Sequence, residues 1–300
     1  MKAIQFERHG EPEVLEQVEL EIPKAGPGQV QIRAAAAGVN PADYKWRNGF
    51  NLRYMPLPLP HVPGMDAAGV VTELGKGVTE FAVGDRVVAS VNAAYAEYVV
   101  ADVKACARLP DGVDFVQAAA LPCPALTGVE MVEEGIAPSV GQTVLVTGAT
   151  GGVGRFAAMA AKALGARVVV AVRGAYVDEV KALGFDEVVT FDAPLRENLR
   201  FDHVADTVGG PEVARLCRNL KPGGKIITVA TTPIDPEGLP AAPKTFGFHP
   251  DGARLARIVD AIDKGAISMP VAKRLPLAEA REAQRLVEHG GARGRVVLTI

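Results

Sequence analysis

From Met1 to about Val100, short β-rich runs alternate with Gly and Pro punctuation, a rhythm that predicts strands over 1–6, 29–37, 69–74, 86–91 and 95–100. Near Val116 the rhythm changes. Apolar runs at 143–147, 167–172, 187–190, 203–206 and 225–230 are separated by Ala-rich stretches of helical period. Runs without polar alternation mark strands covered on both faces, so this half reads as a doubly wound parallel sheet joined by right-handed crossovers. A last run, 295–300, predicts a strand that returns to the first part of the chain. Residues 232–243 are dense in Pro, Gly and acid and read as a surface loop over the end of the sheet.

A length of 300 residues suits two cores better than one. Hydrophobic residues at 48% and charged residues at 22% predict a folded, soluble protein. The net charge of -3, with Lys and Arg scattered along the chain, argues against a nucleic-acid partner. Residues 1–10 carry Lys2, Glu7 and Arg8 and lack the apolar centre of a secretory signal, and no apolar run approaches the ~20 residues needed to span a bilayer. The expected setting is cytoplasmic, without a membrane segment. Cys106, Cys123 and Cys217 lack paired spacing, which fits a reducing compartment, and the five histidines offer no i, i+4 metal pair.

The strongest local signal is the run from Val144 to Gly154, VLVTGATGGVG, an apolar strand that enters a Gly-rich turn and then a helix. A dinucleotide fingerprint requires a tight turn, a position without side chain where backbone meets pyrophosphate, and a small residue where helix crosses strand. Ala149, Gly151 and Gly154 fill those places, with Ala where the first Gly is usual. The following helix carries Val153, Phe156, Ala157, Ala160, Ala161 and Leu164 on one face and stops at Gly165. The N–H groups of Gly152 and Val153 and the helix dipole are expected to hold the phosphates. An NADH-binding site places an acid at the end of the next strand, about twenty residues on. Here Ala171, Val172 and Arg173 stand there, and the first acid is Asp178. Arg173 either reads the 2′-phosphate of NADPH or is a solvated charge at a strand end, and the missing acid favours NADPH.

With these residues the chain resembles the medium-chain dehydrogenase/reductase superfamily, and within it the zinc-free quinone oxidoreductase, or zeta-crystallin-like, branch. The resemblance runs in order through Gly38-Val39-Asn40-Pro41-Ala42-Asp43, Pro63 to Gly69, Gly84-Asp85-Arg86-Val87, Tyr95-Ala96-Glu97-Tyr98, Leu126-Thr127-Gly128, Asp206-Thr207-Val208-Gly209-Gly210 and Lys221-Pro222-Gly223-Gly224. It implies an α/β protein with a GroES-like, mostly β domain over 1–115 and 265–300, and an inserted Rossmann NADPH-binding domain over 116–264. Its alcohol dehydrogenases hold zinc with a Cys, a His-Glu pair and a further Cys or His. Asn40 replaces the first Cys and Met65-Asp66 the His-Glu pair, so only Cys123 falls at a ligand position and no metal is expected. Cys123 then reads as a small buried residue, a metal ligand or a reactive thiol.

The resemblance further implies NADPH-dependent hydride transfer, in an interdomain cleft, to a quinone or an α,β-unsaturated carbonyl, acceptors electrophilic enough without a Lewis acid. The acceptor is expected beside residues 40–45, where Asn40 can donate or accept and Tyr44 and Lys45 can give a proton. On an extended segment Tyr44 and Lys45 point to opposite sides, so only one faces the nicotinamide; Lys45 is slightly favoured, and water is the remaining donor. Thr127, Val208, Ala230 and Thr231 are expected at the nicotinamide end. Val177 and Phe191 stand where relatives carry a Lys and a Tyr, which leaves Arg173 to read the 2′-phosphate largely alone. A homodimer is the family expectation. The rival readings are a 2-enoyl thioester reductase and a non-catalytic NADPH-binding protein.

Overall fold

In the computed structural model, which describes residues 1–290 and 292–300, the first run forms strand β1 (Lys2–Gln5), paired antiparallel with β2 (Glu16–Glu19). The next is the long β3 (Gln29–Val39), followed by helix α1 (Pro41–Arg47) and strands β4 (Asp66–Leu74), β5 (Arg86–Ser90), β6 (Tyr98–Asp102) and β7 (Cys106–Arg108). One edge of β3 pairs with β4, and residues 29–33 of its other edge take β6. Strand β4 starts three residues before the expected 69–74 run. Its small residues Asp66, Ala67 and Ala68 pair with Gly38, Ala37 and Ala36, so Gly-Pro punctuation hid a continuous strand. A short helix α2 (Phe115–Ala119) follows, capped by the Asp114 side chain on the Gln117 N–H.

Helix α3 (Pro122–Glu130) runs straight into a π-helical turn, Met131–Ile136. Strand β8 (Thr143–Thr147), helix α4 (Gly152–Ala163), strand β9 (Arg167–Val172), helix α5 (Val177–Lys181), strands β10 (Glu187–Thr190) and β11 (Phe201–Asp206), helix α6 (Gly210–Cys217), and strands β12 (Leu220–Thr228) and β13 (Pro243–Thr245) follow. All neighbours are parallel, in the order β10-β9-β8-β11-β12-β13. Counted within this sheet the order is 3-2-1-4-5-6, that of the Rossmann fold. Alternate residues feed two cores, Val144, Val146, Val168 and Val170 on one face and Leu145, Val169, Ala171 and Val204 on the other. Both faces are covered, as the uninterrupted apolar runs require.

The return segment holds α7 (Gly252–Asp263), β14 (Val271–Pro276), α8 (Ala280–His289) and β15 (Arg295–Thr299). Strand β15 pairs antiparallel with residues 36–39 of β3, and β14 lies parallel to β15. Two compact units result, residues 1–123 with 250–300, and residues 124–249. The dividing points read from sequence were 115/116 and 264/265. Helix α7 counts with the β unit because Gly252 sits against the Cys106 carbonyl, where an added Cβ would come within 2.3 Å of the oxygen. Among the described residues, no helix is long and apolar enough to cross a membrane.

Candidate functional site

In the Rossmann unit the end of β8 turns sharply at Gly148, whose φ of +70° favours a residue without Cβ. Gly154 is required for a different reason, since a Cβ there would lie 2.4 Å from the Gly148 carbonyl oxygen and push the helix off the strand. Gly151, the N-cap of α4, is exposed, and a Cβ on it would meet only that same oxygen at 3.3 Å. Ala149 is buried in the core. The three fingerprint positions thus divide into one packed inward, one open to a ligand and one that holds helix to strand. The first N–H groups of a helix, here those of Gly152 and Val153, lack intrahelical partners, and the first turn of α4 carries no acid. A dinucleotide pyrophosphate fits this cradle.

Around it the chain gathers other expected residues. An added Cβ on Gly128 of α3 would fall 2.4 Å from the Val153 carbonyl, so Thr127 stands beside the start of α4. A Cβ on Gly148 would come within 3.0 Å of the Val208 side chain, and one on Gly209 within 3.1 Å of the Ala230 Cβ. Val208, Ala230 and Thr231 therefore lie in loops at the carboxyl ends of β11 and β12, beside the turn. Arg173 follows β9 and is exposed at the N-cap of a short 3-10 turn, Gly174–Tyr176.

One residue escaped the reading of the sequence, and a second, Asp206, was read only as part of the motif that ends its strand. Arg155, one past Gly154, is buried and lies 3.8 Å from Glu179 of α5; burial lowers its pKa and the Glu179 charge raises it. Asp206, fully buried at the end of β11, accepts from the Thr147 and Thr228 hydroxyls, each at 2.6 Å, and from the Val208 and Gly209 N–H groups, each at 3.0 Å. Its signal was an acid closing an otherwise apolar strand.

In the β unit the expected extended segment at 40–45 is helical. Pro41 opens α1 and the Asp43 carboxylate accepts from the Asn40 N–H at 2.8 Å, which nucleates the turn. Successive residues on a helix are about 100° apart, not opposed. Tyr44 and Lys45 accordingly share a side, with Lys45 Nζ 5.8 Å from the Tyr44 ring centre and 6.0 Å from that of Phe50. Burial raises the Tyr44 pKa, helped by Glu288, and lowers that of Lys45.

Asn40 is 1% exposed and its amide is engaged. Nδ2 donates to Asp66 Oδ2 at 2.8 Å, and Oδ1 accepts from Arg295 Nη2 at 2.7 Å. The other Asp66 oxygen accepts from the Cys123 N–H at 2.8 Å, and Arg295 lies 3.5 Å from Asp66 and donates to the Ala120 carbonyl. Asn40, Asp66 and Cys123 are thus brought together, but a guanidinium already supplies the cation, and both Asp66 oxygens and the Asn40 oxygen are spent. This donor set does not fit catalytic Zn²⁺. Beside it, Tyr95 donates to Asp43 at 2.9 Å. Burial pushes the Asp43 carboxyl up to about 7, against hydrogen bonds from Asn40 and Tyr95, and Asp66 up to about 6, against the Arg295 charge.

Among the described residues, one His and carboxylate cluster has metal-like spacing, Glu130, Glu134 and His249. His249 turns Nδ1 to Glu130 at 3.5 Å and Nε2 to Glu134 at 3.6 Å. Each ring nitrogen faces a different carboxylate, whereas a single ion would take only one ring nitrogen.

Residues 26–111 match the alcohol dehydrogenase GroES-like domain, and residues 183–298 match the zinc-binding dehydrogenase family. The NADPH-dependent alkenal/one oxidoreductase of Arabidopsis thaliana chloroplasts is 30% identical over 99% of this chain and 79% of its own. The solved quinone oxidoreductase from Coxiella burnetii has a TM-score of 0.90 at 29% identity, covering 100% of this chain and 99% of that one. The Escherichia coli quinone oxidoreductase complexed with NADPH has a TM-score of 0.87 at 26% identity over 100% of both chains. The β unit is therefore GroES-like.

Proposed function

The chain belongs to the medium-chain dehydrogenase/reductase family, on its quinone oxidoreductase branch, and from that premise we propose that it uses NADPH, without zinc, to reduce a quinone or an α,β-unsaturated carbonyl. Bound NADPH supplies the hydride. Gly151 leaves the approach to the pyrophosphate open, the α4 N–H groups of Gly152 and Val153 hold it, and Thr127, Val208, Ala230 and Thr231 flank the nicotinamide end. Tyr44 and Lys45 are the candidate donors to the acceptor oxygen, and burial, by lowering the Lys45 pKa, makes its ammonium the readier acid. Asn40, with its amide engaged, acts by fixing the start of the helix that carries them. With Arg295 seated against Asp66 and Asn40, the acceptor must be activated by its own conjugation.

The observation that carries the NADPH reading is the exposed Arg173 after β9, where an acid would repel a 2′-phosphate. Consumption of NADPH and NADH is to be followed for wild type and Arg173→Ala, with a quinone, an alkenal and an enoyl thioester in parallel. The expected result is turnover of the quinone or the alkenal with NADPH, and a KM for NADPH that rises about tenfold in Arg173→Ala while that for NADH stays put. Equal use of the two nucleotides by wild type defeats the Arg173 reading. Turnover of the thioester alone makes the protein an enoyl thioester reductase, and nucleotide binding without turnover makes it a binding module.

A further inference from the structure

The Asp206 carboxylate stands where the Rossmann sheet changes direction, between the strand that opens the nucleotide turn and the strands beyond it. Oδ1 takes three donors, the Thr147 hydroxyl at the end of β8 and the N–H groups of Val208 and Gly209 that follow β11. Oδ2 takes the Thr228 hydroxyl at the end of β12. The pattern continues outward on each side. Thr147 Oγ1 accepts from the Thr207 N–H at 2.9 Å while the Thr207 hydroxyl donates to the Thr147 carbonyl at 2.8 Å. Thr228 Oγ1 accepts from the Ala230 N–H at 3.0 Å. One buried carboxylate therefore ties the ends of three adjacent strands.

In a Rossmann sheet the first three strands carry the adenosine half of a dinucleotide and the second three the other mononucleotide. Here β8 belongs to the first half and β11 and β12 to the second. We infer that Asp206 is a positioning residue that locks the two mononucleotide halves of the site in register, fixing the Val208 and Ala230 loops against the Gly148 turn. The inference rests on the NADPH reading above. It needs no contact between Asp206 and the nucleotide, because the residue acts through the main chain of Val208 and Gly209 and through two threonine hydroxyls.

The branches can be cut separately. In Asp206→Asn an amide oxygen still accepts the three donors on the Oδ1 side and the NH₂ can donate to Thr228 Oγ1, so each branch keeps a hydrogen bond and only the charge is lost. Thr228→Val cuts the β12 branch alone in a side chain of the same shape. Affinity is to be measured for NADPH and for 2′,5′-ADP, which lacks the nicotinamide half. Thr228→Val is expected to lose about tenfold in NADPH affinity while holding 2′,5′-ADP within about twofold, the loss of one charge-assisted hydrogen bond felt at one half only, whereas Asp206→Asn, with every branch still bonded, stays within about threefold of wild type for both. If Asp206→Asn does not fold, Thr228→Val decides. Wild-type affinity for both ligands in folded Thr228→Val, or an equal loss of both, overturns the assignment while leaving the NADPH reading intact. Absence of NADPH binding by wild type overturns both.

Discussion

Asp43 lies 1% exposed, with the Tyr95 hydroxyl and the Asn40 N–H both directed at one of its oxygens. These donors favour the charged form, yet burial outweighs them and pushes its pKa up to about 7. The folded chain therefore keeps a proton that the unfolded chain releases near 3.8. The stability this confers is complete below the unfolded value and is lost as pH rises through about 7. Asp43→Asn keeps an acceptor for both donors and removes the titration. Its melting temperature is expected to gain on that of wild type between about pH 4 and pH 7 and then to level off, and melting curves that keep a constant offset across that window would sink the claim. None of this was legible in the sequence. Asp43, Asp66 and Arg295 are distant along the chain, and only the pairing of β15 with β3 brings the arginine to the carboxylates.

The start of α4 is the element on which the proposed nucleotide binding turns, and two of its glycines separate binding from folding. Gly151→Ala adds a methyl whose one near neighbour is the Gly148 carbonyl at 3.3 Å, a contact relieved by a shift of a few tenths of an ångström, so the chain is expected to melt close to the wild-type temperature but to bind NADPH weakly. Gly154→Ala forces a methyl against the Gly148 carbonyl and is expected to cost about 1–3 kcal/mol of stability, read by urea denaturation. Loss of stability in Gly151→Ala, or none in Gly154→Ala, would reverse these roles. This element was readable because its demands are local, a strand, a bare turn and an amphipathic helix in sequence. Helix α1 was misread as extended because the Gly38 to Asp43 segment was weighed for its resemblance and not for its N-terminal signals, a Pro at the first helical position and an Asp two residues later. Strand β14 went unseen because Val271–Pro276 is largely exposed and carries no apolar alternation; its partner β15 defines it.

Across the whole molecule, the doubly wound half was legible in its apolar runs and its right-handed crossovers, while the strand order is seen only in the sheet itself. The network formed by Asn40, Asp66 and Arg295 was not legible, since it draws on α1, β4, the Cys123 N–H and β15 at once. With Arg295 in place, chelator dialysis is expected to leave both the melting temperature and turnover unchanged, and added Zn²⁺ to raise neither. Loss of either after dialysis, with recovery on zinc, would show that the arginine yields to a metal.

Strand β3 has one further consequence, for synthesis on the ribosome. Residues 124–249 emerge as an unbroken stretch and can complete their own sheet while translation continues. The β unit cannot, because residues 36–39 of β3 wait for β15, and until it arrives their N–H and C=O groups form an open edge able to recruit strands from other nascent chains. Birth of the Rossmann half is thus early and local, and closure of its neighbour is the late, aggregation-exposed step.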